Sequence, residues 1–220
     1  MDLDPDRALA LSYVPADRRA ALNALWKLDT ALGAVLAGGR EPMLSQIRLT
    51  WWSDALTGLD AAPAPSEPAL QAAAAHILPR GIKGNQLARL EEGWSLLLTA
   101  EPLSGEELAR YALGRGALLF RFSSSLLGFQ LNERVKLAGE GWALADLARN
   151  SNHVDAAAAL ALAGERLADV AAQRWPAPLR PLGMLAMLAR RDVERGLQDR
   201  ERQGAPARMA RMFRHRLTGR

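Results

Sequence analysis

The sequence has no cysteine. That excludes disulfides, thiolate metal sites and cysteine nucleophiles, and it fits a reducing compartment. Strand-forming residues are scarce. There are two tyrosines and four phenylalanines in 220 residues, and valine and isoleucine are few, so a sheet has little to be built from. The three histidines, His76, His153 and His215, lie far apart. None belongs to a paired helical metal motif, which argues against a histidine-based metal site. No uninterrupted run of about 18 apolar residues occurs, so no transmembrane helix is expected. The stretch from Met1 to Asp6 is acidic and lacks the basic and apolar regions of a secretory leader. A fixed-period repeat is also missing, and one domain over residues 1–220 is the simplest expectation.

What is abundant is alanine, in runs such as Ala72–Ala75 and Ala156–Ala159. Alanine loses no side-chain entropy in a helix and is the best helix former. Hydrophobic residues make up 49% of the chain, enough for a sizeable core. The formal net charge is +4, and arginine far outnumbers lysine. A mild positive excess is compatible with nucleic acid, anionic lipid or diphosphate and by itself chooses none of them.

Helical spacing recurs along the chain. Pro15 opens a helix that runs to about Ala37 and stops at Gly38-Gly39, with Leu22, Leu25, Trp26, Leu32 and Leu36 on its apolar stripe. A second helix starts at Glu41-Pro42 and is expected to bury Leu44, Ile47, Trp51 and Ala55. Asp60–Pro68 reads as a loop, Ala69–Ile77 as a short helix, and Lys83–Thr99 as a longer one. Ser104 and Glu107 have the spacing of a capping box. The helix they open carries Gly114-Arg115-Gly116 in its middle, where a kink or a close helix contact is expected. Helices are further expected over Asn132–Arg149, Ala156–Gln173, Leu182–Gln198 and Ala207–Leu217.

Two carboxylates stand out. Asp29 falls on the apolar stripe of its helix, and Asp146 lies four residues after Trp142, near Arg149 and Asn150. A buried carboxylate is costly unless a cation, a helix N-terminus or a metal satisfies it. Facing each other across a cavity, the two could hold Mg²⁺ and a diphosphate. Paired with arginines such as Arg48 or Arg149, they would be structural. Trp51 and Trp52 are core residues on one reading. On the other, Trp51 lines an apolar tunnel beside Asp29.

The segments Ala10–Pro15, Leu25–Asp29, Arg40–Pro42 and Ile47–Leu56, the last reading Ile-Arg-Leu-Thr-Trp-Trp-Ser-Asp-Ala-Leu, resemble the N-terminal signature of squalene/phytoene synthase-like proteins. The stretches Tyr111–Gly116, Leu126–Gly128 and Gly139–Asn150 are similar to later helices of that family. The resemblance spans about residues 7–200 and looks closest to the short bacterial branch, related to a mitochondrial complex I assembly factor. It implies an all-α, isoprenoid-synthase-like helical bundle around a central apolar cavity. Active members join two prenyl diphosphates head to head, with Mg²⁺ held by two aspartate-rich motifs. Carried over, the resemblance makes Asp29 and Asp146 metal-binding candidates and Arg48, Trp51, Tyr111, Arg149 and Asn150 substrate-binding candidates.

The motifs depart from the family pattern. Gly33 stands where the second carboxylate of the first motif belongs, Asn150 where the first aspartate of the second motif belongs, and His153-Val154 where an acidic pair belongs. The sequence therefore favours a non-catalytic factor that binds an isoprenoid, another lipid or a protein, and the resemblance implies a role in respiratory-complex assembly. The alternative is an active Mg²⁺-dependent prenyl transferase. The tail, residues 201–220, is a basic amphipathic segment. It suggests a membrane surface as partner, with a cytoplasmic or peripheral inner-membrane location. Nucleic acid is not expected, because the basic residues are not interleaved with aromatic stacking platforms.

Overall fold

The computed structural model describes residues 2–38, 41–99, 102–150, 155–170 and 174–220, and within them the backbone is helical with no strand. Apolar side chains from Ala10 to Met212 form a contiguous core.

The first helix, α1 (Pro5–Ser12), precedes the first one expected from the sequence. Its start is nonetheless well specified. The Asp4 carboxylate accepts from the backbone N–H of Asp6 and Arg7 at 3.1 and 3.0 Å, and Pro5 occupies the first turn. Helix α2 (Ala16–Gly38) buries Leu22, Leu25, Trp26 and Leu32 of the expected stripe together with Asp29, and Leu36 is half-buried. The Trp26 indole N–H donates to Ser123 Oγ at 3.0 Å, tying α2 to α8 (Leu118–Leu126).

Helix α3 (Pro42–Gly58) starts at its proline as expected but turns another face inward. It buries Ser45, Leu49, Trp52 and Leu56, whereas Trp51 is 47% and Ile47 58% exposed. Apolar residues cover more than one face of α3, so periodicity alone did not choose between them. Helix α4 spans Pro68–His76.

The single helix expected over 83–99 is instead α5 (Gly84–Ala88), α6 (Leu90–Ser95) and a 3₁₀ turn at Leu96–Leu98. The Asp60 carboxylate caps α5 by accepting from the N–H of Gly84 at 2.6 Å and of Asn85 at 3.0 Å.

Helix α7 (Gly105–Tyr111) opens on the expected capping box. Ser104 Oγ accepts from the Glu107 N–H at 3.2 Å, and the Glu107 carboxylate accepts from the Ser104 N–H at 2.8 Å. Helices α7 and α8 are continuous through a π-helical turn, Ala112–Ala117, which contains both glycines of the Gly-Arg-Gly run. The expected close contact is here. Gly114 lies against Gly93 of α6, and Gly116 against Gly139 of α9 (Glu133–Asn150). Bulkier residues at these crossings would hold the backbones apart.

Helices α10 (Asp155–Leu167), α11 (Arg180–Arg195) and α12 (Pro206–Thr218) follow. Arg208 of α12 donates to Asp6 of α1 at 2.9 Å and to Asp192 of α11 at 2.6 Å, so the tail is anchored to the body. Met212 beside it is fully buried, and Met209 is not.

His215, on the same inner face of α12, is 2% exposed. Burial, then the nearby Arg180 and Arg134, push its pKa down from 6.5 to about 4, against a weak opposing pull from the Arg220 backbone. The unfolded chain binds this proton more readily than the folded one. Stability is therefore complete above pH 6.5 and falls as pH drops toward about 4. Urea titrations should show about 2 kcal/mol of this loss from about pH 7 to about pH 5, and His215→Leu should flatten it. An unchanged pH slope in the variant would show that His215 is not the group responsible.

Candidate functional site

A cavity of about 820 Å³ lies among α1, α2, α6, α7, the π turn and α9. Its position follows from the glycine crossings. Gly116 and Gly139 bring α9 against the π turn, and from Gly139 the spacing along α9 carries Trp142, Asp146 and Asn150 down one face. Gly93 brings α6 close, and the next residue, Trp94, reaches the cavity. Asp29 enters from α2 and Tyr111 from the last turn of α7.

Arg115 sits at the centre of these groups, 2% exposed. Its Nε and Nη2 donate to the two oxygens of Asp29 at 3.0 and 3.1 Å, a bidentate pair. Its Nη1 donates to Tyr111 Oη at 2.6 Å and lies 2.7 Å from Asp146 Oδ2. The guanidinium carbon lies 4.1 Å from the centroid of the Trp94 ring and 4.9 Å from that of Trp142. Cation–π contacts of this kind add about 2 kcal/mol when desolvated.

Asp29 accepts two further bonds, from Trp94 Nε1 at 3.2 Å and from Arg7 Nη1 at 3.0 Å. A carboxylate offers about four lone-pair sites, so Asp29 has none to spare. Burial pushes its carboxyl up, but Arg115, Arg7 and the Trp94 N–H outweigh that and hold it below its usual value. Arg115 is held well above its usual value. Burial opposes the charge, and Asp29, Tyr111 and Asp146 more than compensate. Tyr111 is driven up to about 12, chiefly by burial, and stays a neutral phenol.

The structure thus brings together four of the seven residues that the sequence singled out. Asp29, Asp146, Tyr111 and Asn150 line one cavity, with the Asn150 amide donating to Asp146 at 3.0 Å. It does not bring in the other three. Arg48 and Trp51 are exposed on α3. Arg149 points away and donates to Asp192 at 2.5 Å and to the Glu201 carbonyl at 3.0 Å. The residues that the sequence reading missed are Arg115, Arg7 and Trp94. Only Arg115 carried a local signal, its place between two glycines. His153-Val154 lies outside the described residues.

These side chains do not fit Mg²⁺. The ion needs near-octahedral oxygen ligands and usually takes one or two carboxylates together with phosphates and waters. Here the Arg115 cation already lies between Asp29 and Asp146, with every Asp29 acceptor site committed to an N–H donor. Among the described residues no group of three or more His, Asp or Glu side chains is placed to hold a metal. Gly33 sharpens the point. A Cβ there would lie 2.7 Å from the Trp94 ring, so a carboxylate at 33 could not enter without displacing an indole that itself bonds Asp29.

No protein-family model, curated protein or solved structure matches this chain. What the site can do therefore rests on its own geometry. The lining holds Asp2, Asp4, Asp29, Asp146 and Asp155 against Arg7 and Arg115. Arg7 in turn bonds both Asp4, at 2.5 Å, and Asp29. Carboxylates outnumber guanidiniums, and each guanidinium already serves two of them. Beyond this polar centre the wall is apolar, with Leu36, Leu97, Leu103 and Leu147.

Proposed function

We propose that this chain is a non-catalytic helical binding protein of the squalene/phytoene synthase type, which takes an isoprenoid or other lipid chain with an uncharged polar head into the Asp29 cavity. The observation that carries this reading is the Asp29–Arg115–Asp146 bridge, which occupies with an internal cation the place where a transferase would hold metal and diphosphate. The cavity volume, about 820 Å³, lies within the range of small-molecule sites. A diphosphate would meet an excess of formal negative charge and no guanidinium free to receive it, whereas a hydroxyl or carbonyl head has hydrogen-bonding groups to meet. Tyr111, Asn150 and Thr30 supply these at the polar end, and the leucines accommodate the chain. The isoprenoid-synthase architecture, and a role with a protein partner in assembling a respiratory complex, enter the proposal through the sequence resemblance alone.

The transferase reading draws support from one fact: Asp29 and Asp146 do line the same cavity. Turnover separates the two. Purified protein incubated with farnesyl or geranylgeranyl diphosphate and Mg²⁺ is expected to release no diphosphate above the protein-free rate. Metal-dependent release that disappears in Asp29→Ala would establish the transferase and end the binding-only proposal.

A further inference from the structure

We propose that the outer face of α12 docks on an anionic lipid bilayer. This face is built differently from the inner one. Arg208, Met212 and His215 turn inward and hold the helix to α1 and α11. One face over, Met209, Phe213 and Leu217 recur every fourth residue and are 45, 54 and 60% exposed. They form a stripe two helical turns long, about 12 Å at 1.5 Å per residue, and nothing among the described residues covers it.

The charge around the stripe argues for the occupant. From Pro206 to Thr218 the helix carries no carboxylate. On a helical projection Arg214 falls on one side of the stripe and Arg216 on the other, and Arg220, two residues past the end of α12, is exposed. Arg216 lies 4.6 Å over the Tyr13 ring rather than against an acid. Two more arginines close the C-terminal end. Arg174 donates to the Thr218 carbonyl at 2.8 Å, and Arg180 donates to the Arg216 carbonyl. These two satisfy carbonyls at the end of the helix that the dipole makes negative, and they add positive charge there. None of these five arginines forms an ion pair with a carboxylate among the described residues.

An apolar ridge flanked by arginines on a helix lying flat against the protein matches the interface of an anionic bilayer. The ridge enters the acyl boundary, and the guanidiniums meet headgroup phosphates. A protein partner would need an acidic groove of the same length. Nucleic acid would leave the ridge unused, because Phe213 is the one exposed aromatic ring on α12 and offers no succession of stacking surfaces. The inference is independent of what fills the cavity. The two features are nevertheless adjacent in the chain, since Gln203 lines the cavity and the Gly204 N–H bonds Asp6 just before α12 begins.

The experiment is flotation of the full chain with vesicles of phosphatidylcholine alone and of phosphatidylcholine with about a third phosphatidylglycerol. Binding is expected only to the anionic vesicles and is expected to weaken as salt screens the arginines. Phe213→Glu with Leu217→Glu, both exposed positions, should reduce binding about tenfold or more while circular dichroism and melting stay unchanged. Arg214→Glu with Arg220→Glu should do the same. Equal binding to neutral vesicles, no binding to either, or wild-type binding by the Phe213/Leu217 variant would overturn the proposal. So would sedimentation showing that the stripe is covered by a second copy of the chain, or RNA binding that exceeds binding to anionic vesicles.

Discussion

Replacing Arg115 with alanine is expected to destabilise the fold by about 3–5 kcal/mol, because it leaves the fully buried Asp29, and Asp146 beside it, without their shared cation. At this chain length that corresponds to a melting temperature lower by roughly 10 °C. Arg7 still reaches Asp29 at 3.0 Å, which places the effect toward the lower end of the range. Arg115→Lys should recover only part of the loss, since a lysine cannot bond both Asp29 oxygens and Tyr111 at once. The paired change Asp29→Leu with Arg115→Met should be milder than Arg115→Ala alone, because the fully buried Asp29 leaves together with its cation, while Arg7 keeps Asp4 and only the partly exposed Asp146 loses its partner. Urea denaturation of the two single variants and the pair gives the coupling directly. A loss below about 0.5 kcal/mol in Arg115→Ala would mean the bridge contributes no more than an exposed ion pair.

The second large effect lies one residue along. Gly116→Ala would drive a Cβ into the Gly139 carbonyl, whose carbon lies 2.7 Å from that position, and to within 2.8 Å of the Ala143 Cβ. Neither neighbour is the loose end of a flexible side chain, so the π turn and α9 must separate. The expected cost is about 3 kcal/mol or more, at the upper end for overpacking. Gly139→Ala meets the Gly116 backbone in return and should behave alike. Separation of these helices would also lengthen the Arg115–Asp146 contact, so ligand binding in the cavity should fall along with stability. Gly105→Ala, with nothing within 4 Å of the added carbon, is the matched control and should be neutral or slightly stabilising. Thermal melts of the three variants check the contrast.

How far these features were legible in the sequence differs from residue to residue. Helix starts were read from local signals at Pro42 and at the Ser104–Glu107 box, because caps act within one turn. The glycines at 114 and 116 announced a close approach, and their partners proved to be Gly93 and Gly139 on other helices. Asp29 was legible as a carboxylate on an apolar stripe that required a partner. The partner itself was not. Arg115 lies 86 residues away, and its meeting with Asp29 is decided by how α2, α6 and α9 cross, which no local pattern encodes. Arg7 was hidden for a second reason. Helix α1 was not recognised, although Asp4-Pro5 carries the cap and the proline of a helix start. On α3 the apolar residues cover too much of the circumference, so Trp51 was read as inward when Trp52 is the buried one.

The central claim is that the Asp29 cavity receives an uncharged lipid head and no metal-bound diphosphate. Calorimetric titration of the full chain with farnesol and with farnesyl diphosphate, each with and without Mg²⁺, tests it most directly. Farnesol is expected to bind equally with and without the ion, in the micromolar range typical of an apolar pocket with few polar contacts, about −8 kcal/mol. Farnesyl diphosphate is expected to bind more weakly and to gain nothing from Mg²⁺. Tight binding of the diphosphate that requires Mg²⁺ and is lost in Asp29→Asn would contradict the claim.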